Sequence, residues 1–339
     1  MHYFGTMTDW KKLNSFSLSL LAGLSLILAW TWSPLVFLLF PAWLLLFEIA
    51  SRKQRPLLYL YLAFAIWNAG TTYWIANADP LGVFATVGIN AWLMSFALWF
   101  GMRCKAMFQR LGAKPMLYWL PVVAAWMAFE HLHEFWGLAF PWLHLGNTFF
   151  AWPELVQWYE FAGNVGGTFW VLLVAIVWFA SENRFYKGAV LLVPMAVSMV
   201  LFVMPELEGQ RSISVAVVQP NINSYTEKWS TPEQVQIQKV ERLLKESGAR
   251  EIDLIVLPET FLPKAREENG LGKTVNDQLL ENVLKSYGKA AIFGATTYDF
   301  QKEKTYYNRP MGDRYYTLYN SALFQSSTPK ALEVYHKGK

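Results

Sequence analysis

The sequence predicts two domains of different class: an N-terminal polytopic α-helical membrane domain in residues 1–204 and a C-terminal α/β domain in residues 205–339. Composition is the first observation behind this prediction, because 54% of the residues are hydrophobic and only 16% are charged, which is too apolar for an ordinary soluble enzyme. Distribution is the second, because the long uncharged stretches end near Pro205. The later part alternates short apolar runs with amphipathic ones, as α/β domains do.

Seven apolar stretches in the first domain are long enough to cross, or nearly cross, a bilayer core about 30 Å thick. Their predicted limits are 13–31, 34–50, 57–77, 82–102, 116–134, 155–180 and 188–204. The second stretch is short, and the fifth carries Glu130, His131 and His133 toward its end. The first domain is therefore expected to contain about seven transmembrane helices.

Basic residues predict the orientation of these helices. They fall in four groups, at the N-terminus and in every second predicted loop: Lys11 and Lys12; Arg52, Lys53 and Arg55; Arg103, Lys105, Arg110 and Lys114; Arg184 and Lys187. By the positive-inside rule the N-terminus is cytoplasmic, and seven crossings deliver residues 205–339 to the outer side, which is the periplasm in a diderm bacterium. A cleaved signal peptide is disfavoured, because the bulky Trp30 and Trp32 follow the first apolar run where small residues are needed.

Cysteine and histidine usage argues against a metal centre. Cys104 is the one cysteine, so neither an internal disulfide nor a cysteine-based metal site can form. Its predicted place is a cytoplasmic loop. The five histidines are His2, His131, His133, His144 and His336, and they have no metal-ligand spacing. We therefore expect no metal and no cofactor.

The second domain reads as alternating strands and helices. The first predicted strand is 212–219, and a turn at 220–223 ends it. The helix that follows is capped by Ser230 or Thr231, has Pro232 in its first turn and ends near Glu246. After it come a strand at 253–258, a long loop at 261–273, a helix at 274–287 and a strand at 290–295. This alternation predicts parallel pairing with right-handed crossovers. Strand-like runs at 317–325 and 331–336 have no helix between them, so the sheet is expected to turn antiparallel there.

Glu259 is the first candidate for catalysis. It follows an apolar run that stops at Pro258, which cannot donate to a strand ladder, so the carboxylate is displayed at a strand end. Open α/β sheets place their chemistry at the carboxyl ends of strands. Taken alone, these residues favour a catalytic role and a turn-capping role equally.

Several short motifs, taken together and in order, resemble those of a known family. They are FPWLHLG at 140–146, Gln157 with Gly163 and Gly166, QPNI at 219–222 with Lys228 and Trp229, LPET at 257–260, YNSA at 319–322 and YHK at 335–337. On this membrane topology they resemble the apolipoprotein N-acyltransferase family, whose soluble half is similar to the nitrilase or carbon-nitrogen hydrolase superfamily. The resemblance covers nearly the whole chain. It implies a nitrilase-like αββα sandwich with a Glu-Lys-Cys triad.

The same resemblance implies roles for individual residues. Glu259 matches the general base, and Lys337 matches the triad lysine that stabilises an oxyanion, with Lys339 as the alternative. Trp229 matches a tryptophan on a mobile arm over the active site, and Asn320 matches a position beside it. Trp142, in the motif at 140–146, is a further candidate for substrate binding.

The implied reaction is transfer of a fatty acyl chain from a membrane glycerophospholipid to the N-terminal amine of diacylglyceryl-cysteine apolipoproteins, through a cysteine thioester. The expected partners are thus a phospholipid donor, an apolipoprotein acceptor and the bacterial inner membrane, with no nucleic acid, and the expected state is a monomer. The family's nucleophilic cysteine and its eighth span are not among these 339 residues. We therefore expect a C-terminally truncated chain with an incomplete sandwich and no activity by itself.

Two other classes of function stay open from the sequence. A membrane-anchored nitrilase-type amidase would use the same triad on a small carbon-nitrogen substrate, without needing the motif at 140–146. A non-enzymatic transporter or sensor would carry a degenerate hydrolase domain. Glu48, Glu130 and Glu160 lie near predicted span ends rather than mid-membrane, which argues against a proton path.

Overall fold

The computed structural model describes residues 12–136, 139–203, 212–248, 252–326 and 332–338. The chain divides into two compact units, Met1–Glu206 and Leu207–Lys339. The first unit is helical, with α1 Ser15–Thr31, α2 Leu39–Ser51, α3 Pro56–Thr72, α4 Pro80–Arg110, α5 Leu120–Glu134, α6 Tyr159–Ala180 and α7 Arg184–Val203. Each of the seven predicted apolar stretches overlaps one of these helices.

Length and composition separate the helices of the first unit. Within the described residues, four are long and apolar enough to cross a membrane: Ser33–Ser51, which joins a short 3-10 helix to α2, together with α4, α6 and α7. Helix α1 is apolar but shorter, at 17 residues. The longest, α4, has 31 residues and exceeds the length that a bilayer core requires.

Helix α4 corrects the prediction of a basic loop after residue 102. Arg103, Cys104, Lys105 and Arg110 are helical, because the segment after Met102 contains no proline or glycine that would interrupt the helix. The helix ends before Gly112, which adopts a left-handed conformation with φ of +69°. Cys104 is thus a helix residue, and the basic side chains extend from the last turns of α4.

Helix α6 begins four residues later than predicted, at Tyr159 rather than at 155. A short 3-10 helix, Pro153–Leu155, precedes it. Inside α6, Gly163 has φ of +63° and ψ of −174°, which breaks the helical path near its start. Glycine adopts this conformation without steric cost, so the break is encoded by one residue.

Aromatic side chains fill the core of the first unit. The largest fully buried ones include Trp43, Trp67 and Trp126. The rings of Trp43 and Trp126 meet edge to face with centroids 4.7 Å apart. Close ring packing of this kind stabilises helix association where no hydrophobic driving force acts between helices.

The second unit is built on one mixed sheet of seven described strands. They are β1 Val215–Val217, β2 Ile252–Val256, β3 Leu262–Glu267, β4 Gly288–Gln301, β5 Arg309–Met311, β6 Arg314–Ser326 and β7 Glu333–His336. The order is β1-β2-β4-β6-β5, with β3 also paired to β4 and β7 to β6. Pairs β1/β2, β2/β4 and β3/β4 are parallel, whereas β4/β6, β5/β6 and β6/β7 are antiparallel. The sheet therefore starts parallel and turns antiparallel, as the sequence predicts.

Two helices cover one face of this sheet. They are α8 Glu233–Ser247 and α9 Val275–Tyr287, and their apolar residues share one buried core with the sheet: Ile237, Val240, Leu244, Leu280, Leu284, Ile255, Ala291, Phe293 and Leu323. On the other face, Val217 is 74% exposed. Its alternating side-chain direction places it opposite the residues that pack on the helices.

Three local predictions for the second unit were wrong. Strand β1 has three residues rather than eight. Strand β3 lies inside the predicted loop at 261–273, and it was missed because Pro263, Lys264 and Arg266 are not typical strand residues, although the segment pairs with β4. The N-cap of α8 is Pro232 itself, and no side chain caps it. The hydroxyl of Ser230 instead donates to carbonyls of the preceding turn.

Candidate active site

A tight turn after β2 presents Glu259. Its geometry is set by Gly294 on the neighbouring β4, whose N–H donates to the carbonyl of Pro258 over 3.1 Å. A Cβ on Gly294 would lie 2.7 Å from Glu259 Cα, so only glycine lets the turn lie this close to the strand. Thr260 completes the turn with φ of +49°, a left-handed conformation uncommon for a non-glycine residue.

Glu259 meets two side chains from the far end of the chain. Its Oε1 lies 2.9 Å from Lys337 Nζ, and the same oxygen accepts a hydrogen bond from the Asn320 side-chain amide. The backbone N–H of Lys337 also donates to the Asn320 carbonyl over 2.8 Å, which fixes the residue after β7 against β6. The structure thus brings together three residues that the sequence singled out.

Lys228 is a fourth member of this cluster and was not assigned a role from the sequence. Its Nζ donates to the Glu259 carbonyl over 3.1 Å and to the Thr260 hydroxyl. The sequence feature that could have identified Lys228 is its position beside Trp229, within the family-like motifs. The ammonium therefore holds the backbone of the turn rather than the carboxylate itself.

The charges of the cluster keep Glu259 ionised. Hydrogen bonds from Lys337 and then Asn320 hold the pKa of the Glu259 carboxyl below its usual value, against a small opposing effect of burial. The side chains of Glu259 and Lys337 are 62% and 63% exposed. An ionised carboxylate that reaches solvent can accept a proton from a group brought to it.

A polar pocket of about 390 Å³ opens beside the turn. It is lined by the segment after β1, by α8 and by the turn itself, including Gln219, Asn221, Ser224, Lys228, Gln236 and Glu259. Asn221 has φ of +49°, so both loops that frame the pocket contain a left-handed residue. Such backbone conformations cluster at functional sites, and the pocket size suits a small-molecule group.

The other predicted site residues are placed differently. Trp229 follows Lys228 and is 68% exposed. Trp142 belongs to the first unit, is 61% exposed and packs edge to face on Trp74 with centroids 5.8 Å apart. Lys339, the alternative to Lys337, lies outside the described residues.

A chain of hydrogen bonds that runs from β7 through β6 to β4 supports Lys337. His336 Nδ1 lies 3.0 Å from the Ser321 hydroxyl, which is 2.7 Å from the Thr297 hydroxyl, and Thr297 lies 2.8 Å from Glu268 Oε1. The His336 ring stacks on Tyr319 at 3.9 Å. These contacts join β7, β6 and β4, and they fix the strand that Lys337 directly follows.

A buried ion-pair network holds β3 against both helices of the second unit. Arg266 on β3 pairs with Glu233 at the start of α8 at 2.8 Å and with Asp277 in the first turn of α9 at 2.6 Å. All three are at most 8% exposed. The network anchors the strand that immediately follows the Glu259 turn.

In the first unit, Glu130 clasps the motif at 140–146. Its Oε1 accepts from the Leu145 N–H and from Trp126 Nε1, each over 2.9 Å, and its Oε2 accepts from the Thr168 hydroxyl over 2.6 Å. Glu130 is 6% exposed. The sequence placed Glu130 near a span end but could not predict this clasp, because it depends on the packing of α5 against α6.

The same loop is packed closely at its last residue. The Gly146 N–H donates to the Thr168 hydroxyl over 3.0 Å, and the Tyr159 hydroxyl donates to the Gly146 carbonyl over 3.0 Å. Nearby, burial lowers the pKa of His144 to about 4, so its 3.5 Å contact with Glu134 is not an ion pair at neutral pH. The loop is held by neutral donors.

Within the described parts of the chain, no group of three or more His, Cys, Asp and Glu residues could hold a metal ion.

The cluster around Glu259 offers a base, a cation and an amide donor. That combination suits proton transfer and stabilisation of an oxyanion.

Comparisons with known proteins match both units. Residues 22–177 match the family described as Apolipoprotein N-acyltransferase N-terminal domain, and residues 214–339 match the family Carbon-nitrogen hydrolase. A curated relative from Geobacter metallireducens, named Apolipoprotein N-acyltransferase, is 26% identical over 252 residues, which are 68% of this chain and 47% of the relative. A relative of the same name from Chlorobaculum tepidum is 26% identical over 275 residues, 73% of this chain and 49% of the relative. The chain spans about half the length of these relatives.

Proposed function

We propose that this chain, which belongs to the apolipoprotein N-acyltransferase family, carries the proton-transferring part of a lipoprotein N-acylation site. The observation that carries the proposal is the 2.9 Å contact between Glu259 and Lys337, which joins residues 78 positions apart beside a polar pocket. The family and the long apolar helices together indicate a membrane protein.

The first proposed step is acylation of a thiol. Glu259 accepts the thiol proton, and the thiolate attacks the ester carbonyl of a glycerophospholipid. The ester C–O bond breaks, the lysophospholipid alcohol leaves with a proton, and the acyl chain stays as a thioester. Lys337 donates to the oxyanion that forms on the carbonyl, an interaction commonly worth about 3–4 kcal/mol per donor.

The second proposed step is transfer to the acceptor. The N-terminal amine of a diacylglyceryl-cysteine apolipoprotein attacks the thioester carbonyl and forms an amide, the C–S bond breaks, and the amine proton passes through Glu259 to the departing thiolate. Among the described residues, none donates to Glu259 Oε2, which leaves that oxygen to take up a proton. The substrate contacts proposed for Trp229, Asn320 and Trp142 follow from their motifs.

The thiol is the part of the proposal that these residues do not supply. Cys104, in α4, is the sole cysteine of the 339 residues. On the proposed topology it faces the cytoplasm while Glu259 faces the periplasm of the inner membrane. We therefore propose that the 339-residue chain has no acyltransferase activity by itself.

A membrane-impermeant thiol reagent applied to spheroplasts should modify Tyr335→Cys and leave Cys104 unmodified, and the reverse pattern would reject this topology.

Product analysis tests the reaction class. The whole gene product is purified in detergent and incubated with a phospholipid and a diacylglyceryl lipopeptide. Mass spectrometry then measures the mass of the lipopeptide. We expect a gain of one acyl chain and no ammonia from small amides. Ammonia release without acylation would support the amidase instead, and turnover by the 339 residues alone would remove the need for a further thiol.

A further inference from the structure

Helices α4 and α5 touch at one end and leave a groove at the other. At Gly101 the helices are in backbone contact, since a Cβ there would lie 2.8 Å from Val122 Cα. Farther along, toward Asn90 on α4 and His133 on α5, a groove of about 450 Å³ opens between them. This volume lies within the range of about 300–1,000 Å³ that is usual for ligand sites.

The walls of this groove are apolar and shaped for a thin ligand. On α4, Phe96 and Phe100 stack with centroids 5.9 Å apart. On α5, Ala125 and Ala128 line the groove with small side chains. Phe129 and Leu132 of α5 also line the groove, so its walls are apolar up to His133 and Trp136 at one end.

The open end of the groove is polar. His133 lines both the groove and an adjoining pocket of about 210 Å³ that Asn90 also lines. His133 is 4% exposed and Asn90 is 2% exposed. Within the described residues, His133 Nε2 and Asn90 Oδ1 are buried and have no hydrogen-bond partner. Buried polar atoms are nearly always paired, so these two atoms mark a place where a polar group can bind.

The neighbours of these atoms fix which one donates. Trp136 Nε1 can only donate, and it lies 2.7 Å from His133 Nδ1, so Nδ1 is the acceptor and the neutral ring carries its proton on Nε2. Asn90 Nδ2 donates to Asn68 over 2.6 Å, which leaves Asn90 Oδ1 as an acceptor. The residues that line the pocket therefore include one with a free N–H donor and one with a free carbonyl acceptor.

We propose that the groove between α4 and α5 binds one acyl chain of a membrane glycerophospholipid, whose ester carbonyl accepts a hydrogen bond from His133 Nε2. A hydrocarbon chain below one ester group matches an apolar slot below one buried donor. On α4 the groove is lined from Leu93 to Phe100, seven residues or about 10 Å along the helix axis, which accommodates an extended segment of one acyl chain.

This inference depends on the membrane placement in the proposed function but not on acyl transfer. The site lies wholly within the first unit, whereas the proposed chemistry uses Glu259 in the second. Lipid binding can therefore be measured in a protein that has no activity, and a failure of one proposal leaves the other intact.

Photo-crosslinking tests the site. The whole gene product is reconstituted in vesicles of phosphatidylethanolamine and phosphatidylglycerol that contain a phospholipid with a diazirine in its acyl chain, and crosslinked peptides are mapped after irradiation. We expect labelling of the groove walls around Phe96, Phe100 and Ala128 above that of α7, an apolar helix whose side chains are mostly exposed. Equal labelling of the groove and α7 would overturn the proposal.

Variants separate specific binding from general contact with lipid. Ala128→Trp fills the slot and should reduce groove labelling roughly tenfold, whereas Val193→Trp on the exposed face of α7 should leave it unchanged. His133→Phe keeps a ring but removes the donor, and should weaken labelling about threefold to tenfold, the factor of one lost hydrogen bond. Unchanged labelling in both groove variants would overturn the proposal.

A second probe tests the occupant. The same experiment with the diazirine in a diacylglyceryl lipopeptide should label the groove less than the phospholipid does. Labelling from the lipopeptide alone would reject a phospholipid as the ligand. The comparison in the unsubstituted protein remains decisive if Ala128→Trp does not fold.

Discussion

Each unit of this chain contains a carboxylate that several donors surround, and the two carboxylates differ in burial and in the charge of their partners. Glu130 is 6% exposed and is bonded by three neutral donors from α5, α6 and the loop between them. The Glu259 side chain is 62% exposed, and its neighbours include the ammonium groups of Lys337 and Lys228. The first carboxylate is enclosed and the second is open to incoming groups.

The difference separates stability from reactivity. A buried acceptor that satisfies three donors cannot be removed without leaving those donors unpaired, so Glu130 should be important mainly for folding. An exposed ion pair contributes little to stability, so replacing Glu259 should change activity much more than the free energy of unfolding. Each prediction below tests one side of this comparison, from the largest expected change in stability to the smallest.

Replacing Glu130 by leucine should cause the largest loss of stability. The substitution leaves the Leu145 N–H, the Trp126 N–H and the Thr168 hydroxyl without their acceptor, at a cost of about 3–6 kcal/mol. Thermal unfolding in detergent measures it. Glu160→Leu is the matched control, because Glu160 is exposed at the start of α6 and should change the unfolding midpoint little. Equal effects of the two variants would contradict a clasp at Glu130.

Replacing Arg266 by methionine should destabilise the second unit by about 3–5 kcal/mol, because it leaves Glu233 and Asp277 buried without their cation. Denaturant unfolding measures the change. Arg242→Met breaks an exposed pair with Glu246 and should cost at most about 1 kcal/mol. If the two arginine variants unfold alike, the buried network does not hold β3.

Adding one methyl group at Gly294 should cost about 1–3 kcal/mol, because the new Cβ would overlap the backbone of Glu259 and Thr260. The same change should lower activity by moving the Glu259 turn away from β4. Gly270→Ala is the control, since a Cβ there meets nothing within 4 Å. Unfolding and turnover are measured in the same preparations, and an unaffected Gly294→Ala protein would rule out the close approach.

Acid should weaken the second unit through Glu233. Burial opposes ionisation of this carboxyl, but hydrogen bonds from Arg266, the Arg266 charge and Asn276 outweigh it and lower the pKa. A folded-state pKa below the unfolded value gives stability that is present above the unfolded pKa and lost as pH falls through the folded one. The unfolding free energy should therefore decline below about pH 4, the ordinary range for glutamate.

The variant Arg266→Met provides the comparison for that pH dependence. Without the guanidinium, burial is the largest remaining influence on the pKa of Glu233 and raises it, so the decline of stability in acid should shrink or reverse. Unfolding free energies measured from pH 7 to pH 3 would reveal the shift. Superimposable pH curves for the two proteins would mean that Arg266 does not control the ionisation of Glu233.

The elements that the sequence predicted well are those encoded by composition and period. Seven apolar stretches gave seven helices, and the strand, helix and strand alternation gave β2, α9 and β4. Strand β3 was missed because its identity comes from pairing with β4 rather than from its own residues, which include Pro263 and Lys264. The extension of α4 was missed because basic residues were assigned to a loop.

The candidate site was predictable only in part for a similar reason. The strand end pointed to Glu259, and the family motif pointed to Lys337, which the structure places 2.9 Å apart. The contacts of Lys228 and Glu130, and the lack of a partner for His133 Nε2 among the described residues, could not be predicted, because each arises where separate elements pack together. Periodicity and spacing carry no information about such contacts.

Glu259→Gln, measured for turnover and for stability in the same gene product, tests the central comparison most directly. The substitution keeps the shape of the side chain and removes its basicity, so acyl transfer should fall by about 10²–10⁴-fold. The unfolding free energy should stay within about 1 kcal/mol, because the pair with Lys337 is exposed.

Glu281→Gln is the matched control, since Glu281 forms an exposed pair with Lys285 on α9 and should change neither quantity. Loss of turnover with unchanged stability in Glu259→Gln alone is the predicted result. Full turnover in that variant, or a fall in turnover that merely follows a fall in stability, would contradict the account.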